Sequence, residues 1–274
     1  MEGVKRMSEP KSISQEQTRY LKKLKQKTVF VIAVRIALLA VIIGLWELAA
    51  AMAWVNPFIT SSPSRIAKTI ASLYQSGELF YHVGTTLWET LAGFAIAVAL
   101  GYSIALLLWW SEALRKILEP YIVVLNALPK IALGPLIIIW CGTGSKAIVF
   151  MTVLIGLIVA ILNMLNGFMA TDENKILLLK SMGANKLQIL TKLVIPSSLP
   201  SFISMLKINV GMAWIGSIMG EYIVSKAGIG YLIVYGGQVF KLDLVMSAVV
   251  ILCILAAIMY ALVALLERAV IKNR

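Results

Sequence analysis

The strongest constraint in this sequence is a series of six apolar segments, each long enough to cross a lipid bilayer. They cover about residues 29–53, 83–110, 121–140, 147–170, 202–224 and 242–266. A spanning helix needs roughly 17–25 mostly apolar residues. Because lipid offers the backbone no hydrogen-bond partners, each segment is expected to be helical. The sequence therefore predicts an all-α integral membrane protein with six transmembrane helices.

The composition excludes a soluble protein and several kinds of site. Hydrophobic residues make up 60% of the 274 residues and charged residues only 14%, against about 25% charged in soluble domains. A soluble chain of this size could not bury so much apolar surface. One histidine, His82, and two cysteines, Cys141 and Cys253, provide neither a metal-ligand set nor a disulfide framework.

The basic residues are distributed unevenly between the segments that connect the six spans. Seventeen lie at the termini, near Arg115 and in 171–201, whereas five lie in the segments expected on the other side. Cytoplasmic loops retain positive charge, so both termini and residues 171–201 are predicted to be cytoplasmic. The predicted domains are a basic cytoplasmic segment 1–28, a six-helix membrane domain 29–267 and a cytoplasmic tail 268–274. The basic segment suits anionic lipid better than nucleic acid.

Two connecting segments have a helical pattern. A short surface helix is predicted from Ser64, as the capping residue, to Leu73. In 171–201, Asp172 and Glu173 suit a helix start, and Gly183 interrupts the pattern. Helical spacing then continues to Pro196, which is expected to end the second helix. The segment 171–201 is thus predicted to hold two short helices joined at a glycine.

Residues 183–200 read Gly-Ala-Asn-Lys-Leu-Gln-Ile-Leu-Thr-Lys-Leu-Val-Ile-Pro-Ser-Ser-Leu-Pro. This stretch resembles the cytoplasmic signature of ABC importer permeases, which is Glu-Ala-Ala, three residues, Gly, nine residues, an aliphatic residue, one residue and Leu-Pro. Gly183, Leu193, Ile195 and Pro196 occupy the matching positions. Leucines at 177–179 replace the acidic-alanine part of the signature.

Other stretches resemble one branch of that family, the permeases for sulfonate, taurine, nitrate and thiamine-precursor uptake. They are residues 128–136, 140–144, 220–221 with 228–231, and 265–268. The resemblance implies a type I ABC importer permease fold in the bacterial inner membrane. It also implies a small solute, expected to be an anion of the sulfonate, taurine or nitrate class. A thiamine-precursor pyrimidine or another vitamin-like solute is the alternative, and an ATP-independent carrier or channel is a further one.

The resemblance also implies the partners of the chain. They are a second permease copy forming a homodimer, two ABC ATPase subunits and an extracytoplasmic solute-binding protein. ATP and Mg would be bound by the ATPase, so this chain is expected to hold no cofactor and to catalyse no reaction. Contact with the ATPase is expected in the coupling segment (residues 171–201), at Gly183, Ala184, Leu187, Leu190, Leu193, Ile195 and Pro196.

Ionisable residues at membrane depth are expensive and therefore are candidates for function. Lys130 lies between Pro129 and Pro135 in the third span, and Glu89 and Glu221 lie in the second and fifth. Two interpretations of Lys130 remain, a salt bridge to one of these glutamates or contact with an anionic solute. The candidate translocation residues are Asn126, Lys130, Met212, Trp214, Met219 and Glu221.

Smaller residues and basic residues near the span ends have simpler expected roles. Arg35 and Lys207 are expected to extend their charged ends towards the cytoplasmic interface. Five glycines in the spans are expected to allow close contact between helices. They are Gly93, Gly101, Gly156, Gly211 and Gly216.

The charge distribution predicts the sidedness of two positions. In a background without Cys141 and Cys253, Asn174→Cys and Gln238→Cys are expected to react with a membrane-impermeant maleimide from opposite sides of the membrane. Intact cells should label the second position, and inverted vesicles the first. Labelling of both positions in intact cells would contradict the six-span topology.

Overall fold

The computed structural model describes residues 15–271, so parts of the predicted basic segment and tail lie outside the described residues. Every regular element in the described range is helical. The α-helices are α1 (Gln15–Ala51), α2 (Pro57–Thr60), α3 (Pro63–Gln75), α4 (Glu78–Trp110), α5 (Glu112–Ala127), α6 (Gly134–Cys141), α7 (Ser145–Met169), α8 (Glu173–Ser181), α9 (Lys186–Ile189), α10 (Ile195–Ser197), α11 (Leu199–Val224), α12 (Ile229–Gln238) and α13 (Leu242–Ile271).

The six predicted spans are confirmed, and one of them is strongly bent. Five continuous helices, α1, α4, α7, α11 and α13, are long and apolar enough to cross a membrane. The sixth candidate is the pair α5 and α6, whose axes differ by 86°. A 3₁₀ turn, Lys130–Leu133, separates them. The break lies here because Pro129 holds Leu128 in extended backbone and so ends α5.

The chain divides into two compact units, residues 1–64 and 65–274. In the first unit, α1 exposes its apolar side chains, as a helix surrounded by lipid would. Asn56 caps α2 by accepting a hydrogen bond from the Phe58 amide at 2.9 Å. Ser64 does not cap α3 as predicted, because α3 begins one residue earlier, at Pro63. Proline suits the first helical turn, where its missing N–H is not needed.

In the second unit, α7 is the central helix, and α4 and α11 pack closely against it. Thr152 of α7 is buried where glycines of both neighbours approach it. A Cβ at Gly216 of α11 would lie 2.5 Å from the Cα of Thr152. On the other side, Gly93 of α4 meets the Thr152 side chain, and Gly101 meets Ala160. Small residues permit this backbone approach, which van der Waals contact then stabilises in lipid.

The predicted role of the glycines is confirmed at four of the five positions. Gly93, Gly101, Gly156 and Gly216 each face a neighbouring helix, whereas an added Cβ at Gly211 would meet nothing within 4 Å. Gly211 is exposed on α11, so its helix does not need a glycine there for packing.

These two glycines of α11 provide a matched pair for measuring helix packing. Gly216→Ala is expected to separate α11 from α7 and to lower stability by about 1–3 kcal/mol, the usual range for overpacking. Gly211→Ala is expected to be neutral or to stabilise the helix by up to about 1 kcal/mol. The melting temperature of the purified chain in detergent distinguishes them. Equal melting temperatures would contradict the close α7–α11 contact.

Candidate functional site

The first helix of the coupling segment has a defined start and end. Asp172 caps α8 by accepting a hydrogen bond from the Asn174 amide at 2.9 Å, which confirms the predicted helix start. At the other end, the Gly183 amide donates to the Lys180 carbonyl and the Ala184 amide to the Leu179 carbonyl, both at 3.0 Å. This pair of bonds is a Schellman motif. Gly183 has φ +80°, a backbone conformation that glycine adopts without strain.

The second helix of the coupling segment begins at Lys186, directly after its cap residue Asn185. The helical path then continues further than predicted. Asn185 and Gln188 form a capping box, in which each side chain bonds the other residue's backbone amide, at 2.8 and 2.9 Å. Pro196 does not end the helical path as expected. A π-helical turn, Leu190–Val194, precedes it, and the Ile195 amide donates to the Leu190 carbonyl. The wider turn lets the backbone remain helical although Pro196 has no N–H.

The coupling segment has a buried side and an exposed side. Ile189, Leu190 and Val194 pack into the apolar core with residues of α4, α7 and α11. Of the other predicted coupling residues, Gly183 and Leu187 are exposed, and Ala184, Leu193, Ile195 and Pro196 are half-buried. The exposed side carries four large apolar residues, which we call the coupling face: Leu177, Leu178, Met182 and Leu187.

Lys186 attaches the coupling segment to the junction between α4 and α5. Its ammonium lies 5.8 Å from the ring centroid of Trp109 and 5.4 Å from that of Trp110. It also donates a hydrogen bond to the Trp110 carbonyl. Such cation–π contacts contribute about 0.5–1 kcal/mol at exposed sites. One lysine therefore joins two parts of the chain that are 76 residues apart.

The bend between α5 and α6 exposes polar groups. Lys130 lies 3.4 Å from the Asn126 side-chain oxygen and 3.5 Å from the Asn126 carbonyl. A lysine at this place bonds a carbonyl that the helix end leaves free. Of the two interpretations of Lys130, the salt bridge to Glu89 or Glu221 is wrong, because the ion pairs found in the described residues do not include Lys130. Both glutamates are buried in the bundle.

The remaining candidate translocation residues lie on α11 and differ in exposure. Met212 and Met219 are half-buried, and Met212 packs against the cluster formed by α6 and α7. Trp214 is buried with Met259 and Val263 of α13. Lys207 is not simply extended towards the interface, because it forms an ion pair with Glu267 at 2.5 Å.

Glu221 takes part in a buried cap on α12 that sequence reasoning missed. Three successive amides at the start of α12 bond to side chains of other helices. The Gly228 amide donates to His82 Nδ1 at 3.0 Å, the Ile229 amide to Thr86 Oγ1 at 2.7 Å, and the Gly230 amide to Glu221 Oε2. A Cβ at position 228 would overlap the Glu221 carboxyl group. A Cβ at position 230 would also come within 2.8 Å of the Glu221 side chain. Gly228 and Gly230 are therefore both required at this cap.

The α12 cap (His82, Thr86 and Glu221) and the coupling segment lie at opposite ends of the same helices. His82 is near the start of α4, and Trp109 and Trp110 are at its end. Helix α11 runs in the opposite direction: it begins beside the coupling segment and ends beyond Glu221, at the end that holds the α12 cap. With 33 residues, α4 is about 50 Å long, enough to connect the two faces of a membrane.

Six candidate spans, one of them bent, together with an exposed helical segment between two of them are typical of the membrane subunit of a transporter. The family described as binding-protein-dependent transport system inner membrane component matches residues 93–272. The chain belongs to this family. It is thus a multi-pass permease subunit of an ABC importer in the bacterial plasma membrane. Membership implies an ATPase and a solute-binding protein as partners.

Relatives of this chain lie in the branch that the sequence resemblance indicated. The chain is 27% identical to the aliphatic sulfonates transport permease protein SsuC of Bacillus subtilis, over 86% of this chain and 85% of that one. It is 33% identical to the formylaminopyrimidine transport permease protein ThiX of Halalkalibacterium halodurans, over 68% and 74%.

A solved structure shows the same fold. The crystal structure of a bacterial ABC transporter involved in the import of the acidic polysaccharide alginate matches with a TM-score of 0.63 at 14% identity. The match covers 92% of this chain and 99% of that chain. The type I ABC importer permease fold is confirmed.

The contacts of Lys186 generate a prediction about coupling. Lys186→Met is expected to lower solute-stimulated ATP hydrolysis by the assembled transporter about two- to fivefold, since losing about 0.5–1 kcal/mol of cation–π contact loosens the segment. Lys186→Arg retains the charge over the tryptophan rings and should restore most of that activity. The ATPase assay is run on complexes of equal subunit content.

Lys192 provides the control, because it lies in the same segment and is exposed. Lys192→Met should hydrolyse ATP at the wild-type rate. If Lys186→Met did so too, or if Lys186→Arg failed to restore the activity, the proposed role of this contact would be wrong.

Proposed function

We propose that this permease subunit moves a small organic anion, of the aliphatic sulfonate class, into the cytoplasm. The observation that carries the proposal is Lys130, a half-buried lysine at the bend of a broken span, held there by Asn126. Broken helices near mid-membrane are where transporters present polar groups to a solute. The relative named for aliphatic sulfonates supports the same class of solute.

The proposed assembly contains two copies of this chain, two ATPase subunits and a binding protein outside the cell. The coupling face is the proposed contact with the ATPase. Its residues Leu177, Leu178, Met182 and Leu187 are 57–74% exposed, and they lie on two short helices around Gly183. An apolar helical surface of this kind fits a groove on a partner protein. In this arrangement both termini are cytoplasmic.

ATP binding would move the coupling face, and rigid helices would transmit the movement. The buried residues Leu190 and Val194 fix the segment to the core, and Lys186 fixes it to the α4–α5 junction. A packed core has discrete arrangements and does not deform continuously. A displacement at the segment therefore becomes a change in the angles between spans.

A second candidate solute is a formylaminopyrimidine. The observation that favours it is the identity of 33% to a permease named for that compound. A neutral aromatic solute would not need the charge of Lys130, so the two candidates differ in how they depend on this residue.

The experiment is a transport assay in proteoliposomes that contain the chain, its ATPase and its binding protein. Uptake of radiolabelled butanesulfonate is expected only with ATP and the binding protein present. Lys130→Met should reduce its uptake about two- to tenfold, since it removes a charge that offsets desolvation of the anion. Lys146→Met, at an exposed position, is the control.

Two outcomes would contradict the proposal. Uptake of a formylaminopyrimidine at the same rate by wild type and Lys130→Met, without uptake of butanesulfonate, would support the second candidate. Uptake without ATP would show a carrier or channel instead of an importer.

A further inference from the structure

A cavity of about 820 Å³ opens at the end of the bundle that holds the α12 cap. Its walls come from α3, the start of α4, the turn before α12, α12 itself and the start of α13. Its volume lies within the range of about 300–1,000 Å³ that is typical of small-molecule sites. The cavity is at the opposite end of α4 from the coupling segment.

Three lysines from separate elements converge on this cavity: Lys68, Lys226 and Lys241. None of them forms an ion pair found in the described residues. Among the described residues that line the cavity, only Glu78 is acidic. The nearby Arg65 does not add to the positive charge of the cavity, because it pairs with Asp243 at 2.7 Å. The cavity therefore carries an excess of positive charge, which attracts anions.

One wall of the cavity is aromatic. The rings of His82 and Tyr231 are stacked with centroids 6.0 Å apart, and those of Tyr231 and Tyr235 with centroids 5.8 Å apart. Stacked rings form a flat apolar surface, and each tyrosine adds a hydroxyl that can donate a hydrogen bond. The cavity thus combines an apolar wall with a cationic rim.

We propose that this cavity binds a small organic anion before translocation. The sulfonate or carboxylate group would contact the ammonium groups of Lys226 and Lys241, and the apolar part would lie against Tyr231 and Tyr235. The inference rests on the proposed function for the choice of a sulfonate, whereas the charge and the aromatic wall are independent of it.

The cavity also contacts the α12 cap directly. His82 lines the cavity, and its Nδ1 accepts the hydrogen bond from Gly228. Tyr231 lies on the first turn of α12, two residues after Ile229. An anion held against Tyr231 would therefore contact the helix whose first three amides are bound by α4 and α11.

The test measures binding of butanesulfonate to the full chain in phosphatidylcholine nanodiscs by calorimetry, with butyltrimethylammonium as the cationic probe. The sulfonate should bind more tightly than the cation. Lys226→Met and Lys241→Met should each raise its Kd about 1.5- to 5-fold, the effect of one exposed ion pair. The double variant should raise it about 10-fold, and higher salt should weaken binding.

Lys146→Met is the control, because Lys146 is exposed and does not line the cavity. An equal loss of affinity in this variant would indicate general surface charge and would overturn the proposal. So would equal binding of both probes, or an unchanged Kd in the double variant. Lysine-to-glutamine variants repeat the measurement if a methionine variant is unstable in detergent.

Two further results separate this inference from the proposed function. If butanesulfonate binds in the cavity but is not transported, the inference that the cavity binds an organic anion is supported and the proposed solute is wrong. If it is transported while the cavity variants bind it as wild type does, only the inference is wrong. Weaker binding of the binding protein with unchanged butanesulfonate affinity would identify a protein contact instead, and would also overturn the proposal.

Discussion

The close packing of α7 between α4 and α11 determines where every other part of the second unit lies. Apolar side chains gain nothing by leaving lipid for each other, so these helices associate through direct contact at small residues. Thr152 is the centre of this contact, because Gly93 and Gly216 approach it from two sides. The same packing fixes both ends of α4 and α11. It thereby places the coupling segment at one end of the bundle and the α12 cap at the other.

The α12 cap shows how buried polar groups depend on that packing. Glu221 and Glu89 are each 1% exposed, and burying such groups is expensive unless they are hydrogen-bonded. Glu221 bonds the Gly230 amide, which satisfies a free donor at the start of a helix. This bond requires α11 to lie beside α12, and the bonds that His82 and Thr86 accept require α4 to do the same. A small shift of either helix would leave several amides without partners.

Much of this arrangement could be predicted from local sequence patterns, and the rest depends on contacts between distant residues. The spans follow from apolar length, and the coupling helices follow from Asp172, Gly183 and their neighbours. The 86° bend was predicted only as an interruption, because prolines mark a break without fixing its angle. The cap was missed because His82 and Thr86 lie more than 140 residues before the amides that they bind. A signal for it exists, since α4 carries a buried stripe at helical spacing: His82, Thr86, Glu89, Thr90, Gly93, Ala97, Gly101 and Ala105.

The coupling segment and the α12 cap are connected by the continuous helices α4 and α11. Proline-free α4 runs unbroken from the α12 cap to the tryptophans that hold Lys186, and its middle packs closely against α7 at Gly93 and Gly101. A close-packed interior has low compressibility, so we expect a force at the tryptophans to move the helix as a whole. The α5–α6 span differs, because it is already bent at Pro129 and most of its residues there are exposed. We therefore propose that movement is transmitted along α4 and α11 and accommodated at the bend, which is also where Lys130 lies.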